Sequence, residues 1–261
     1  MALEGPLAGR VALVCGGARG LGRAVVRQLV DQGADVVITG AHDDAAGREA
    51  EAAVTGLGGR ALFIRADAGD AGDVERTFAA VDDAFGRLDI LVNAVGPYVF
   101  ERLPIVDYTD AEWQRLLDGN LTSVFRHVRM AVPRMQRGRF GRIVNFGFDG
   151  AGRLPPWPGR APYAAFKEGV VSLSLSLARE VAPLGITVNV VCPGRIVDPH
   201  KDGRIADVRK LASDRVPIGR PGSGEDVARV VAFLCHPDSD FITGNVVDVD
   251  GGEDVLHGQG S

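Results

Sequence analysis

The sequence predicts a doubly wound α/β fold, a parallel sheet with helices on both faces. Three observations predict it. Short Val/Ile/Leu-rich runs alternate with longer stretches of helical period. The runs are almost continuously apolar, as strands buried on both faces must be. A glycine cluster follows the first run directly and opens a helix. The chain has 261 residues, 46% apolar and 24% charged, the composition of a water-soluble globular protein. No Pro/Ser-rich linker or shift in composition divides it, so residues 1–261 read as a single domain.

The elements follow in order. RVALVC is a strand, followed by a helix from about Leu21 to Gln32. ADVVIT leads to a helix near Ala45 to Thr55, and ALFIRAD to a helix over Val74 to Phe85. LDILVNAVG precedes a helix from about Asp110. Thr109 with Glu112 three residues later is a capping box for that helix; Ser223 with Asp226 is a weaker relative. GRIVNFG precedes a long helix carrying YAAFK, with Pro162 at its first position and Pro183 and Gly185 as its stop. ITVNVVCPG is the next strand. The sequence contains no repeat and no low-complexity segment.

Composition narrows the function classes. The net charge is −5, with acidic and basic residues mixed throughout, so neither nucleic acid nor an anionic membrane is an expected partner. No apolar run approaches the ~20 residues that span a bilayer, and no leader pattern opens the chain. The expected location is the cytoplasm. Cys15, Cys192 and Cys235 are odd in number and scattered, and the five histidines show no ligand spacing. Neither a disulfide framework nor a metal site is expected.

The glycine turn CGGARGLGRA brings Gly16, Gly17, Gly20 and Gly22 to the start of a helix. Such a turn lets the backbone approach a pyrophosphate, whose charge meets free amides and the positive end of the helix dipole. In an NAD site an acidic residue closing the second strand bonds the ribose 2′-hydroxyl. Here that strand ends Ile38-Thr39-Gly40-Ala41-His42, with Gly40 where the carboxylate is sought. Arg19, with His42 as a second group, is placed to pair with a 2′-phosphate. NADP(H) is therefore the preferred cofactor; Asp43 and Asp44, which follow at once, keep NAD(H) open.

In YAAFK, Tyr163 and Lys167 lie four residues apart, close to one helical turn, and so share a face. A cation beside a phenol favours the phenolate and lowers the tyrosine pKa, which is how a tyrosine becomes a general acid or base.

With these motifs in order, the chain resembles the short-chain dehydrogenase/reductase family, close to its 3-oxoacyl-acyl-carrier-protein reductases. The likeness extends from RVALVCGGARGLGRA to FITGNVVDVDGG. It implies a single Rossmann-type domain binding NADP(H) through Gly16, Ala18, Arg19, Gly20, Leu21 and Gly22, with Ala41 and His42 near the ribose and Asp67 and Ala68 beside the adenine. Asn93, Ala94 and Gly96 would line the nicotinamide ribose, and Pro193, Gly194 and Ile196 would pass the ring. Tyr163 and Lys167 would be the catalytic pair, Lys167 also bonding the ribose, and Asn120 would support a proton-relay water. The implied partners are a small carbonyl substrate and further copies of the chain, in a dimer or tetramer. Arg139 matches one place where such reductases dock a carrier protein, whereas Leu184 stands at another.

Four positions depart from the family pattern: Cys15, Ala94-Val95, Asp198 and the residue after the fifth strand. Cys15 stands for threonine, and Asp198 brings a like charge toward the pyrophosphate. After the fifth strand the family places a serine that holds the substrate carbonyl. Here the chain reads Asn145-Phe146-Gly147-Phe148-Asp149-Gly150, so Phe148 or, with a shifted loop, Asp149 takes the place. Pteridine reductases carry an aspartate there. Three readings follow: reduction of a carbonyl with Tyr163 as acid, an imine or pterin-type reduction assisted by Asp149, and a nucleotide-binding protein of weak activity. Tyr98, Phe148, Pro155 and Trp157 are the expected pocket walls, Trp157 being also a candidate oligomer contact. The charges from Arg195 to Lys210 alternate in sign and read as a solvated helix pair more than as an anion lid.

Overall fold

The computed structural model describes residues 4–99, 101–153 and 156–253. The strands are β1 (Val11–Cys15), β2 (Asp35–Gly40), β3 (Ala61–Arg65), β4 (Ile90–Asn93), β5 (Gly141–Phe146), β6 (Ile186–Pro193) and β7 (Val246–Val249). They form one sheet in the order β3-β2-β1-β4-β5-β6-β7, every pairing parallel. The helices are α1 (Gly20–Asp31), α2 (Asp44–Gly56), α3 (Ala71–Phe85), α4 (Asp110–Leu117), α5 (Ser123–Gly138), α6 (Ala161–Val181), α7 (Ile205–Val208) and α8 (Gly224–Cys235). The predicted doubly wound fold is thus observed.

Both faces of the sheet are buried, which is why its strands read as unbroken apolar runs. Along β1 alternate side chains go to opposite faces. Ala12 and Val14 join a core with Val36, Ile38, Val92 and residues of α1 and α8, whereas Val11, Leu13 and Cys15 join one with Phe78, Leu91, Ile143 and Val170. Strand order reverses between β1 and β4, and the ends Cys15, Thr39, Asn93 and Asn145 stand level in register. In open α/β sheets the ligand crevice lies at such a switch point, beyond the carboxyl ends of the strands.

The local start signals hold. Thr109 and Glu112 form a reciprocal capping box on α4, and Ser223 with Asp226, expected to be weaker, completes the same arrangement on α8. The element expected to continue from Asp110 is interrupted by a π turn, Asp118–Thr122, before α5 resumes. Pro162 occupies the second position of α6, one later than expected, and the helix ends at Val181 before a 3-10 turn and the left-handed Gly185.

Ser223 is fully buried, and Asp226 also holds Arg220 at 2.7 Å. Ser223→Ala is expected to cost about 1–2 kcal/mol, seen as a lower denaturant midpoint with an unchanged slope.

Candidate active site

The glycine turn is wound as tightly as its composition suggests. Gly16 has φ +79, and a Cβ there would come within 2.9 Å of the Ala94 carbonyl on the neighbouring loop. A Cβ on Gly22 would lie 2.1 Å from the Gly16 carbonyl, so no other residue fits where α1 begins. Arg19, exposed, is the residue before α1; it provides no side-chain cap, and the first turn of α1 carries no acidic residue. The helices α2, α3, α4 and α8 all have side-chain caps. The opening amides of α1 therefore have no side-chain acceptor, and the dipole adds a partial positive charge there. On the β4 side, Asn93 is buried with its Oδ1 unpartnered among the described residues. These features fit a dinucleotide whose pyrophosphate lies on the turn.

The second-strand end resolves the acidic alternatives. A side chain on Gly40 would meet Ala18 at 3.1 Å. Asp43 does not curl back; its carboxylate accepts the Ala46 amide at 2.9 Å and caps α2. Asp44 lies 3.6 Å from Arg65 and 3.9 Å from Arg48. Ala41 is half-buried and His42 exposed beside them. Asp67 is exposed and turns on itself to accept the Gly69 amide, with Ala68 between. Beyond β6, Pro193 and Gly194 are half-buried, whereas the side chain of Ile196 packs into the core. Asp198 pairs with Lys201 at 2.9 Å, and the stem of Lys201 passes 3.7 Å from the Cβ position of Gly20. The like charge expected from Asp198 is thereby offset.

Tyr163 and Lys167 lie on successive turns of α6, both buried, with the lysine Nζ 6.0 Å from the tyrosine ring centre. The lysine Nζ donates to the Phe146 carbonyl at 2.9 Å, tying α6 to the end of β5. The predicted lowering of the phenol pKa is not observed. Burial, the dominant effect, pushes the Tyr163 phenol up, and burial also pushes Lys167 down to about 8. Desolvation disfavours the charged form of each group, and for both it is the largest effect. At neutral pH the site therefore holds a phenol beside an ammonium. Burial likewise raises the thiols of Cys15, Cys192 and Cys235 to about 12, which leaves them inert.

A buried polar chain sets the position of α6. Asn93 donates to Asn145 at 2.8 Å, Asn145 donates to Ser174 at 2.9 Å, and Ser174 donates to the Val170 carbonyl at 2.6 Å. Asn145 and Ser174 had no predicted role; the only signal was a polar residue inside an apolar strand. Asn120 lies within the π turn, donates to the carbonyls of Pro97 (3.1 Å) and Leu116 (3.0 Å), and keeps Oδ1 unpartnered among the described residues. A Cβ on Gly96 would lie 2.2 Å from that oxygen, so glycine is required for the approach.

The walls over Tyr163 are aromatic. Tyr98 meets it edge-on at 5.4 Å, Trp157 at 5.8 Å and Phe148 at 6.3 Å between ring centres. Trp157 is buried within the chain, which excludes its use as an oligomer contact. Pro155 lies outside the described residues. Asp149 is also buried, its charge felt by Cys192 and Arg153. A separate hollow of about 280 Å³ lies at the ends of β6 and β7, lined by Gly194, Ile196, Asp248 and Gly251 among others, and Tyr163 is not part of it. Among the described residues no three His, Cys, Asp or Glu side chains group as metal ligands would, and no helix is long and apolar enough to cross a membrane.

A tight glycine turn at the switch point and a buried tyrosine and lysine one turn apart on α6 are the features of an oxidoreductase. The enoyl-(acyl carrier protein) reductase family model matches residues 16–253. The chain is 37% identical to the 3-oxoacyl-[acyl-carrier-protein] reductase FabG of Haemophilus influenzae, over 94% of this chain and 98% of the relative. It is 41% identical to YtkK of Bacillus subtilis, over 95% and 98%. Among solved structures, a short-chain dehydrogenase from Burkholderia cenocepacia in complex with NADP superimposes with a TM-score of 0.82 at 36% identity, covering 95% of this chain and 98% of that one. The chain belongs to the short-chain dehydrogenase/reductase family.

The folded Lys167 pKa of about 8 lies below the value of about 10.4 for an exposed lysine. Between the two the unfolded chain binds more protons, so native stability rises with pH through that window. Lys167→Met lacks this dependence. Its melting temperature is expected to exceed that of the native protein below pH 8 and the gap to close as pH approaches about 10, measured by thermal melts across the range.

Proposed function

We propose that the protein is an NADP(H)-dependent reductase of a carbonyl group. The observation that carries this reading is a buried Tyr163 one helical turn from a buried Lys167, whose Nζ lies 6.0 Å from the tyrosine ring centre. A reduction needs a proton donor at the carbonyl oxygen, and this phenol is one. The amides of Gly16 to Gly22 would receive the pyrophosphate, Asp67 and Ala68 the adenine, and Asn93, Ala94 and Gly96 the nicotinamide ribose. Pro193, Gly194 and Ile196 would flank the ring. The bound reduced nicotinamide supplies the hydride. Tyr163 gives its proton to the carbonyl oxygen, the charge of Lys167 stabilises the phenolate left behind, and Asn120 orders the water that restores the proton.

Preference for NADP(H) rests on three features: glycine at position 40, the commitment of Asp43 to the cap of α2, and the exposed Arg19 in the turn. The NADP-bound Burkholderia relative agrees with it. A ketone, 3-oxoacyl-like or other, is the substrate class. Phe148 is assigned to the serine position because it makes the ring contact with Tyr163. The missing donor lowers the rate by about 10²–10³ relative to a site that has one. The half-exposed Trp113 and Phe125 on α4 and α5 supply apolar surface for self-association into a dimer or tetramer.

Oxidation of NADPH in the presence of an activated ketone tests the reading. Tyr163→Phe is expected to lower kcat by about 10²–10⁴ and to leave NADPH affinity unchanged; a variant with full activity rules out this acid. Arg19→Ala is expected to weaken NADPH binding about tenfold and leave NADH binding as it was, measured by titration of cofactor fluorescence.

A further inference from the structure

Arg160 is a buried cation that neither the nucleotide turn nor the tyrosine–lysine pair accounts for. It immediately precedes α6, is 7% exposed, and its Nε donates to the Val99 carbonyl at 2.7 Å. Its guanidinium carbon lies 5.1 Å from the ring centre of Tyr98 and 5.1 Å from that of Trp157. Both of those rings touch Tyr163, at 5.4 and 5.8 Å. Taking a guanidinium out of water is costly. A side chain needed only to fill space between two rings would do so at lower cost without a charge.

Resting on the reductase reading above, we infer that Arg160 is a positioning residue of the tyrosine site: it holds Tyr98 and Trp157 against Tyr163 and keeps a permanent positive charge beside it. The charge matters because a proton leaving the phenol creates an anion in a desolvated setting, where nearby charges act strongly. Lys167 alone supplies that charge only up to about pH 8, whereas an arginine stays charged throughout. Consistent with this, Arg160 is the cation that favours the Tyr163 phenolate, against burial and the neighbouring Tyr98 and Cys192. Among the described residues the groups facing Tyr163 are Tyr98 after β4, Cys192 on β6, Arg160 just before α6 and Lys167 on α6; Asp149, after β5, acts on Cys192. The α4 side and the π turn present Leu116, Leu117 and Leu121, which do not titrate, and Tyr108, just before α4, whose phenol is raised by burial and lowered by the charge of Arg160.

The test reads the phenol directly, without nucleotide or substrate. A fluorinated tyrosine placed at position 163 has a more acidic phenol, which brings its titration into the range where the protein stays folded, and its ¹⁹F resonance follows ionisation. Arg160→Met is expected to move that titration to higher pH by about one unit, and Arg160→Lys, which keeps the charge, to restore most of the shift. An unmoved titration in Arg160→Met, or equal shifts in the two variants, overturns the inference. Arg160→Gln replaces the methionine variant if that one does not fold. In the unlabelled enzyme Arg160→Met is expected to lower kcat about tenfold with NADPH affinity unchanged; a fall in NADPH affinity as large as the fall in kcat also overturns it. A native protein that reduces no ketone would defeat the reductase reading, while the fluorine titration would still decide the part played by Arg160.

Discussion

The contact on which the site depends is the one between the Lys167 ammonium and the Phe146 carbonyl, because it joins α6, which carries Tyr163, to the end of β5. Seven residues further along α6 than Lys167, Ser174 closes a second tie through Asn145 to Asn93 on β4. Both ties are buried, so a helix that slid or rotated would leave several polar groups without partners at about 1–3 kcal/mol each. The height of α6 above the sheet is therefore strongly determined. Tyr163 is carried to one place against Tyr98, which follows β4, and Phe148, which follows β5.

Burial then sets the protonation states. The same apolar enclosure that raises the pKa of the Tyr163 phenol lowers that of the Lys167 ammonium one turn away. Walls made of Tyr98, Phe148 and Trp157 strengthen every charge inside by excluding water. Phe148 adds buried apolar area on the Tyr163 side of the loop after β5. Elsewhere the charges are arranged to stay out of the nucleotide's way: Asp43 caps α2, and Asp198 is held by Lys201.

Tight backbone approaches link the two halves of the site. Gly16 against Ala94 brings the turn after β1 onto the loop after β4, and Gly96 against Asn120 brings that loop onto the π turn. In both cases a single methyl group would force the segments apart. The close approach places the nucleotide turn, the loop after β4 and Asn120 within one continuous wall.

The sequence by itself determined the alternation of strands and helices, the glycine turn, the capping residues and the Tyr163–Lys167 spacing. Each is local: periodicity, turn stereochemistry and capping act between residues a few positions apart. Only the tertiary structure decided that Lys167 points to Phe146, that Asp43 serves α2, that Trp157 is internal, and that Asn145 and Ser174 hold α6. It also placed Arg160 against Tyr98 and Trp157. These depend on partners brought together from distant parts of the chain and on burial, whose cost for a charged group exceeds the local attraction that the spacing of Tyr163 and Lys167 suggests.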